Sequence, residues 1–315
     1  MLLKILGKNN SARAKIFQAL VSVSIALTLS LEVYRVPASI GQPVPATMFK
    51  TFADWCFNQA NLSADVKHTV EVLLKEAGTS DCDVANKQLS RQTILILKGQ
   101  QISNLSPLQS LTNLTNLYLS YNQISDLTPL QSLTNLTHLD LYENQISDLT
   151  PLQPLTNLTY LSLSHNQISD ITLLKSLTKL TTLSLDFNQI SDISSLQFLT
   201  NLTGLYLTGN QIKDLSPLKP LENLTALFVS GNQIRDISAL QELSNLTILF
   251  LSVNKIREIE ALQFLTNLTE LNLNSNQVKN ISALKSLTKL TTVNLRQNRV
   301  SEQACPVQPE SICKF

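Results

Sequence analysis

The chain is poor in the residues from which most catalytic and nucleotide-binding motifs are built. Its 315 residues include 7 Gly and 1 Trp, and aromatic residues make up only 5% of the total. The glycine-rich patterns GxxxxGKS/T, GxGxxG and GxSxG do not occur, so a phosphate-cradling loop or a nucleophile elbow has no support. What is abundant is aliphatic, because the hydrophobic 43% consists chiefly of Leu and Ile.

Positive charge is concentrated at the N-terminus. Five basic residues against Glu32 give the first 46 residues a net charge of +4, so the remainder carries −3 of the total +1. A nucleic-acid partner is therefore not expected. Residues 16–31 are uncharged and fit the apolar core of a signal peptide, being short for a membrane span of about 20 residues. We predict a signal peptide over residues 1–46, cleaved after Ala38 or Ala46. An uncleaved N-terminal anchor is the alternative, and it is the only membrane contact expected.

The four cysteines lie outside the central part of the chain, two before it and two after it: Cys56, Cys82, Cys305 and Cys313. An even number of cysteines in an exported chain predicts disulfides. Three connectivities are possible. In the local one, the Cys56–Cys82 and Cys305–Cys313 bonds would each staple one end of the molecule. The spacing contains no CxxC, so neither a metal nor a cofactor is expected.

A repeat of 22 residues fills the region between the cysteine pairs. Asn recurs at this interval from Asn122 to Asn298, and Gln100 takes the same place one period earlier, which makes ten units over residues 92–301. Leu117 and Leu119 alternate with Tyr118, the pattern of a short strand with one buried face. The return legs have apolar residues three apart and frequent Pro, which predicts extended chain and 3₁₀ turns. The repeat therefore predicts an α/β solenoid of ten parallel strands with 3₁₀ and extended legs on its convex side, crossed by a ladder of buried Asn.

One repeat cannot bury its own leucines, so both ends of a solenoid need caps. Residues 47–91 predict a helical N-terminal cap, in which Ser63 caps the main helix and Trp55 and Phe57 cover the first repeat. Residues 302–315 are too short for a domain and predict a C-terminal cap pinned by a disulfide.

The repeated motif "LTNLTxLxLxxNQISDLxPL" closely resembles the internalin type of leucine-rich repeat. It recurs over about residues 92–301. This resemblance implies a bacterial, surface-displayed scaffold with a curved parallel sheet that binds a protein partner on its concave face. The same repeat class includes cytosolic phosphatase-regulating proteins. That is the alternative if the N-terminal segment is not a signal.

Aromatic residues within the repeats concentrate at the positions around the two strand leucines. Eight of the ten lie there, and the exceptions are Phe198 and Phe264. Exposed Tyr beside charge is typical of protein-binding hot spots, although neighbouring rings also stabilise a sheet without any ligand. We take thirteen residues as candidate partner-binding residues. The first group comprises Tyr118, Tyr121, His138, Asp140, Tyr142, Glu143, Tyr160, His165, Asp186 and Phe187; the second comprises Tyr206, Phe228 and Phe250.

An enzyme is not expected. Asp140 and Glu143 are about 10 Å apart at strand rise with no element to close a pocket over them, and His138 and His165 lie too far apart to share a metal. The recurring Asn-Leu-Thr matches a glycosylation sequon, but the template explains it and no modification is expected. We expect an exported, non-enzymatic repeat scaffold, secreted or in the cell envelope, that binds a protein or a glycan through its concave aromatic face. A structural or self-associating envelope protein is the alternative.

Overall fold

The computed structural model describes residues 49–301 and 304–315. The predicted signal peptide therefore lies outside the described residues. Within them, no helix combines the length and the apolar character needed to cross a bilayer.

A single parallel sheet runs the length of the repeats, and its strands follow chain order without a crossover. Each three-residue strand buries its central Leu or Val, and the residues on either side face outward. The register is constant through the first ten strands, so each of their residues pairs with the one 22 positions later, as Leu117 does with Leu139. The first ten strands are β1 Ile94–Ile96, β2 Asn116–Tyr118, β3 His138–Asp140, β4 Tyr160–Ser162, β5 Thr182–Ser184, β6 Gly204–Tyr206, β7 Ala226–Phe228, β8 Ile248–Phe250, β9 Glu270–Asn272 and β10 Thr292–Asn294.

The solenoid prediction is confirmed, but the sheet has eleven strands instead of ten. The extra strand, β11 Cys313–Lys314, belongs to the C-terminal cap and pairs in parallel with β10. It covers the backbone edge that β10 would otherwise expose. The Cys305–Cys313 disulfide, with an S–S distance of 2.03 Å, holds this strand in place.

The return legs contain short 3₁₀ helices, as the Pro-rich spacing predicts, for example Thr128–Ser132 and Thr150–Leu152. An Asx turn starts most of these helices. The Asp126 Oδ1 atom accepts the Thr128 N–H at 2.8 Å, and Asp148 does the same for Thr150. This backbone bond explains why the template keeps a short acidic or amide residue at this place.

The predicted Asn ladder is present and spans neighbouring turns. The Oδ1 atom of Asn188 accepts the Ile168 N–H of the preceding turn at 3.0 Å. Its Nδ2 group donates to the Leu163 and Leu185 carbonyls at 3.0 and 3.1 Å. One buried amide thus satisfies backbone groups of two turns that lie beyond the end of the strand. Gln100 keeps only one bond of this kind: its amide donates to the Lys98 carbonyl, as the Asn188 amide does to the Asp186 carbonyl.

A second amide row lies at the other end of the strands, and the sequence did not reveal it. The Nδ2 group of Asn135 donates to the Thr112 carbonyl at 2.9 Å, and Asn157 and Asn201 repeat this bond one and three turns later. These are the Asn residues of the repeated sequon. Their side-chain nitrogen, the atom that would carry a glycan, donates one of its two hydrogens to this bond.

The N-terminal cap contains three helices: α1 Phe52–Phe57, α2 Ala64–Glu76 and α3 Cys82–Leu89. Thr51 and Asp54 form a capping box at the start of α1, and the Cys56–Cys82 disulfide joins α1 to α3. His68 Nε2 contacts the Gln100 carbonyl at 2.7 Å and so ties α2 to the first repeat.

Two details of the predicted N-terminal cap are wrong. Ser63 precedes α2 but its side chain makes no capping hydrogen bond. Trp55 is buried against Phe49, whereas Phe57 is 65% exposed because the last turn of α1 directs it to solvent.

Candidate functional site

The constant register places the variable residues of the sheet in straight columns. Residues of one column are neighbours on adjacent strands, so their side chains lie close together across the sheet. The residue between the two strand leucines forms one column, and it includes Tyr118, Asp140 and Tyr206. A second column is formed by the residue just before the ladder Asn.

Four aromatic rings form a continuous line along the ends of strands β2 to β5. The ring centroids of Tyr121 and Tyr142 are 5.1 Å apart, as are those of Tyr142 and His165. His165 stacks on Phe187 at 4.4 Å. The Lys98 ammonium lies 4.8 Å from the centroid of Tyr121 and extends the line by a cation–π contact. We call Tyr121, Tyr142, His165 and Phe187 the ring line.

Three members of the ring line have a left-handed backbone. Tyr121, His165 and Phe187 have φ values of 59°, 57° and 52°. The same column holds Gly209 and Gly231 at 70° and 65°, where the absence of a Cβ removes the steric cost. A bulky residue at such a position is strained by roughly 1–2 kcal/mol. The repeat imposes this backbone at every turn of the column, since Glu143, Val253, Ser275 and Gln297 also have positive φ values, and exposed aromatic residues fill the position at three turns.

The ring line ends on a glycine. A Cβ atom added to Gly209 would lie 2.6 Å from the Phe187 ring, so the ring rests directly on the Gly209 backbone. Phe187 is 51% exposed and Tyr121 45% exposed. The line therefore presents aromatic surface to solvent while each ring is held by a neighbour.

The other members of the first predicted group do not join the ring line. His138 stacks on Tyr160 at 5.9 Å in a separate pair. Burial raises the pKa of the Tyr160 hydroxyl. Tyr118 makes no ring contact among the described residues. Glu143 lies in the left-handed column with a φ of 53° and is exposed.

Asp186 and Asp140 of the first predicted group differ in how far the fold already uses their carboxylate oxygens. Asp186 is held by the fold, since its Oδ1 accepts the Thr208 N–H at 2.6 Å and its Oδ2 accepts from the Ser184 hydroxyl at 3.4 Å. Burial raises the pKa of its carboxyl above the ordinary value. Asp140 uses one oxygen to accept the Tyr142 N–H at 3.1 Å. Because the fold uses only one of its two carboxylate oxygens in this way, Asp140 is freer to bind a partner than Asp186 is.

The second predicted group forms its own cluster on strands β6 to β8. Tyr206 stacks on Phe228 at 4.8 Å, and Phe228 meets Phe250 edge to face at 4.9 Å. All three are half-buried. We call them the Phe row.

Two exposed apolar residues at the start of the sheet were missed. Ile94 and Ile96 flank the buried Leu95 of β1 and are 55% and 60% exposed. The sequence of the first repeat departs from the LTNL motif. The repeat pattern therefore did not indicate that Ile94 and Ile96 occupy the same columns as Asn116 and Tyr118. No cluster of side chains that could hold a metal ion occurs in the described part of the chain.

Comparison with known proteins identifies the family. The model for leucine-rich repeats, in pairs of copies, matches eight overlapping segments from residue 93 to residue 303: 93–132, 112–154, 156–198, 178–220, 200–242, 222–264, 244–286 and 266–303. The chain belongs to the leucine-rich repeat family. The comparison with curated protein sequences found no match.

Solved structures place the chain with the internalin type of leucine-rich repeat protein. Internalin C2 from Listeria monocytogenes is 32% identical over 81% of this chain and 98% of its own, with a TM-score of 0.58. A leucine-rich repeat protein from Leptospira interrogans is 28% identical over 69% of this chain and 58% of its own, with a TM-score of 0.66. The leucine-rich repeat ectodomain of a plant membrane receptor kinase from Arabidopsis thaliana is 27% identical over 65% of this chain and 27% of its own, with a TM-score of 0.59.

Proposed function

We propose that this protein is an exported, non-enzymatic recognition scaffold that binds a protein partner through the ring line. The observation that carries the proposal is the unbroken contact of four aromatic rings along strands β2 to β5, of which Tyr121, His165 and Phe187 are exposed. The left-handed backbone is common to every turn of this column, so the aromatic side chains are what distinguish these turns. At residues 209 and 231 the same column holds Gly and has no side chain.

The geometry of the ring line suits binding. Each ring is held by its neighbour at 4.4 to 5.1 Å, so few rotamers remain to be lost when a partner docks. Tyr and His add hydrogen-bonding atoms to a large apolar surface, and Lys98, Asp140 and Glu143 add charge of both signs at its margin. Such a combination of aromatic core and polar rim is typical of protein interfaces.

Two further observations support the proposal. The plant receptor ectodomain similar to this chain was solved in complex with CASPARIAN STRIP INTEGRITY FACTOR 2, so this type of scaffold supports ligand recognition. Disulfides at both ends of the repeats suit an oxidising compartment, which supports export to the cell envelope or the exterior, whether the N-terminal segment is cleaved or retained as an anchor. The cytosolic phosphatase-regulator alternative has no support from the disulfides.

A capture experiment that compares wild type with two variants tests the proposal. The ring-line variant carries Tyr121→Gly, Tyr142→Ser, His165→Gly and Phe187→Gly, which are residues that other turns have at these positions. The control carries Phe198→Ser and Phe264→Ser, which removes two Phe that are 52% and 53% exposed on the return legs.

Wild type and the control should capture the same protein from envelope and extracellular fractions, and the ring-line variant should not. Equal capture by wild type and both variants would show that the ring line does not bind the partner. Loss with the control alone would move the site to the return legs.

The Phe row supports a second candidate function, self-association of an envelope protein. Its three rings form an apolar strip on the exposed face of the sheet at centroid spacings of 4.8 and 4.9 Å. A Phe228→Asp, Phe250→Asp variant should then sediment as a monomer under conditions where wild type does not. Unchanged sedimentation would exclude this role for the Phe row.

A further inference from the structure

Charge is divided between the two halves of the repeat array. Residues 101–210 contain two Lys against seven Asp and Glu, a net charge of −5. Residues 211–301 contain ten Lys and Arg against seven Asp and Glu, a net charge of +3. The division is sharpest in one column at the start of the return legs, and the column beside it is acidic from Asp126 to Glu258.

The first of these columns changes from neutral to cationic halfway along the array. It holds Ser in four consecutive turns and then Lys or Arg in the next four. All eight residues are exposed. In chain order they are Ser125, Ser147, Ser169, Ser191, Lys213, Arg235, Arg257 and Lys279.

The four cations, which we call the cation row, form no ion pair within the described chain. The only ion pair among the described residues joins Lys67 and Glu71 in the N-terminal cap. Arg257 donates to the neutral Gln277 side chain at 3.0 Å. Together with Glu258, Lys279 and Arg299 it lines a depression of about 270 Å³. Like charges repeated on adjacent turns repel one another, so the row can gain from an acid of a partner.

The second column supplies a matching row of acids in the other half. Four exposed Asp occupy successive turns there: Asp126, Asp148, Asp170 and Asp192. Each uses Oδ1 to accept a backbone N–H at 2.8 Å, and each side chain stays exposed. Hydrogen bonds from Thr150 and Thr172 lower the pKa of Asp148 and Asp170, so these two are ionised at neutral pH. We call these four residues the Asp row.

The two rows have the same length and the same spacing. Both advance by one repeat per residue, at the spacing of neighbouring strands, about 4.8 Å. Both lie along the same edge of the solenoid, since they occupy adjacent positions of the repeat. A two-fold axis through the middle of the array would reverse one copy and superpose its Asp row on the cation row of the other.

We propose that two copies of this chain pair edge to edge and antiparallel, with the cation row of each facing the Asp row of the other. Lys213 then faces Asp192 of the second copy, Arg235 faces Asp170, Arg257 faces Asp148 and Lys279 faces Asp126. Such an isologous contact forms both sets of pairs at once and closes as a dimer. Exposed ion pairs are individually weak, so the dimer depends on their number and on ionic strength.

A second copy fits the cation row better than a linear polyanion does. An acid follows three of the four cations directly, at Asp214, Asp236 and Glu258. These carboxylates would repel a ligand with dense negative charge. The Asp row offers isolated carboxylates in a single line with neutral Ser beside them, so it can meet the cations without the same density of charge.

Analytical ultracentrifugation of the full chain tests the pairing with two fold-preserving variants. One replaces the cation row by Ser, the residue that this column has in the other half. The other replaces the Asp row by Asn, which keeps the turn because Asn280 accepts the Ser282 N–H in the same way. At low salt wild type should dimerise, and each variant should lose at least about tenfold in dimer affinity. Raising ionic strength from about 0.01 M to about 1 M should weaken wild-type dimerisation to a similar extent, because the Debye length falls from about 30 Å to about 3 Å.

Mixing the two variants gives the decisive result. The cation-row variant keeps its Asp row and the Asp-row variant keeps its cation row, so one set of pairs can form in the mixture. Heterodimers should appear although neither variant pairs with itself. A control with Lys75, Lys87, Arg91 and Lys175 changed to Ser loses the same charge elsewhere and should dimerise like wild type.

Monomeric wild type at low salt would overturn the proposal. So would equal loss in the control, or a mixture that stays monomeric. Tighter binding of a labelled single-stranded DNA oligonucleotide than of a second copy would show that the cation row binds a polyanion instead.

Discussion

Replacing one ladder Asn by Ala should cost far more stability inside the array than at its C-terminal end. In Asn188→Ala the Ile168 N–H loses its partner where water does not reach. The Leu163 and Leu185 carbonyls each lose one bond but keep the bond from Asn166 or Asn210. At about 1–3 kcal/mol for the unsatisfied N–H and about 1 kcal/mol for each lost carbonyl bond, the expected loss is about 4 kcal/mol. Asn298 makes the same set of bonds but is only half-buried, so water can replace its amide and about 1–2 kcal/mol is expected.

Urea unfolding followed by circular dichroism measures both losses, and the slope of the transition shows whether the array still unfolds as one unit. Asn122→Ala is the control for position, because Asn122 lies near the other end but is buried like Asn188. It should be as costly as Asn188→Ala. Equal losses for all three, or a small loss for Asn122 like that for Asn298, would show that burial of the amide does not set the cost.

Three further changes test other parts of the structure. Gly209→Ala should cost about 1–2 kcal/mol for its backbone alone and more for its contact with Phe187, so urea unfolding should show a larger loss than for Gly231→Ala, where no ring intervenes. Removing the Cys56–Cys82 bond, which closes a loop of 26 residues, should cost about 3 kcal/mol by the loop-entropy estimate, measured in the Cys→Ser pair. Burial raises the pKa of Asp186, so wild type should lose stability as pH rises from the ordinary carboxyl pKa through the higher folded value. Asp186→Asn should lack this loss in a pH series of urea midpoints, and a wild type that gains stability over that window would contradict the sign.

Much of the fold was predictable because each repeat carries the same pattern of Leu, Asn and Pro residues. Alternating Leu defines a two-faced strand, the Asn interval defines the ladder, and the Pro spacing defines 3₁₀ legs. The strand β11 was not predictable, because two residues carry no period. The second amide row was hidden for a different reason. Its Asn recurs in most turns beside the core leucines, and recurrence alone does not distinguish a hydrogen bond from packing.

The candidate site was predictable as a set of columns but not as contacts. Sequence reasoning placed Tyr142 and Tyr160 in one group, whereas ring geometry puts Tyr142 in the ring line and Tyr160 in a pair with His138. The left-handed backbone of Tyr121 and Phe187 was also missed. Gly209 and Gly231 in the same column were the available signal, because Gly is the residue that such a backbone favours.

The most direct test of the ring line as a recognition surface is the affinity of the captured partner for three forms of the protein. Isothermal titration calorimetry would compare wild type, the ring-line variant and the control that lacks Phe198 and Phe264. Loss of several clustered aromatic contacts should weaken binding by about thirtyfold or more, with the control unchanged. Equal affinity for wild type and the ring-line variant would contradict the account and leave the strained aromatic column without a role in binding.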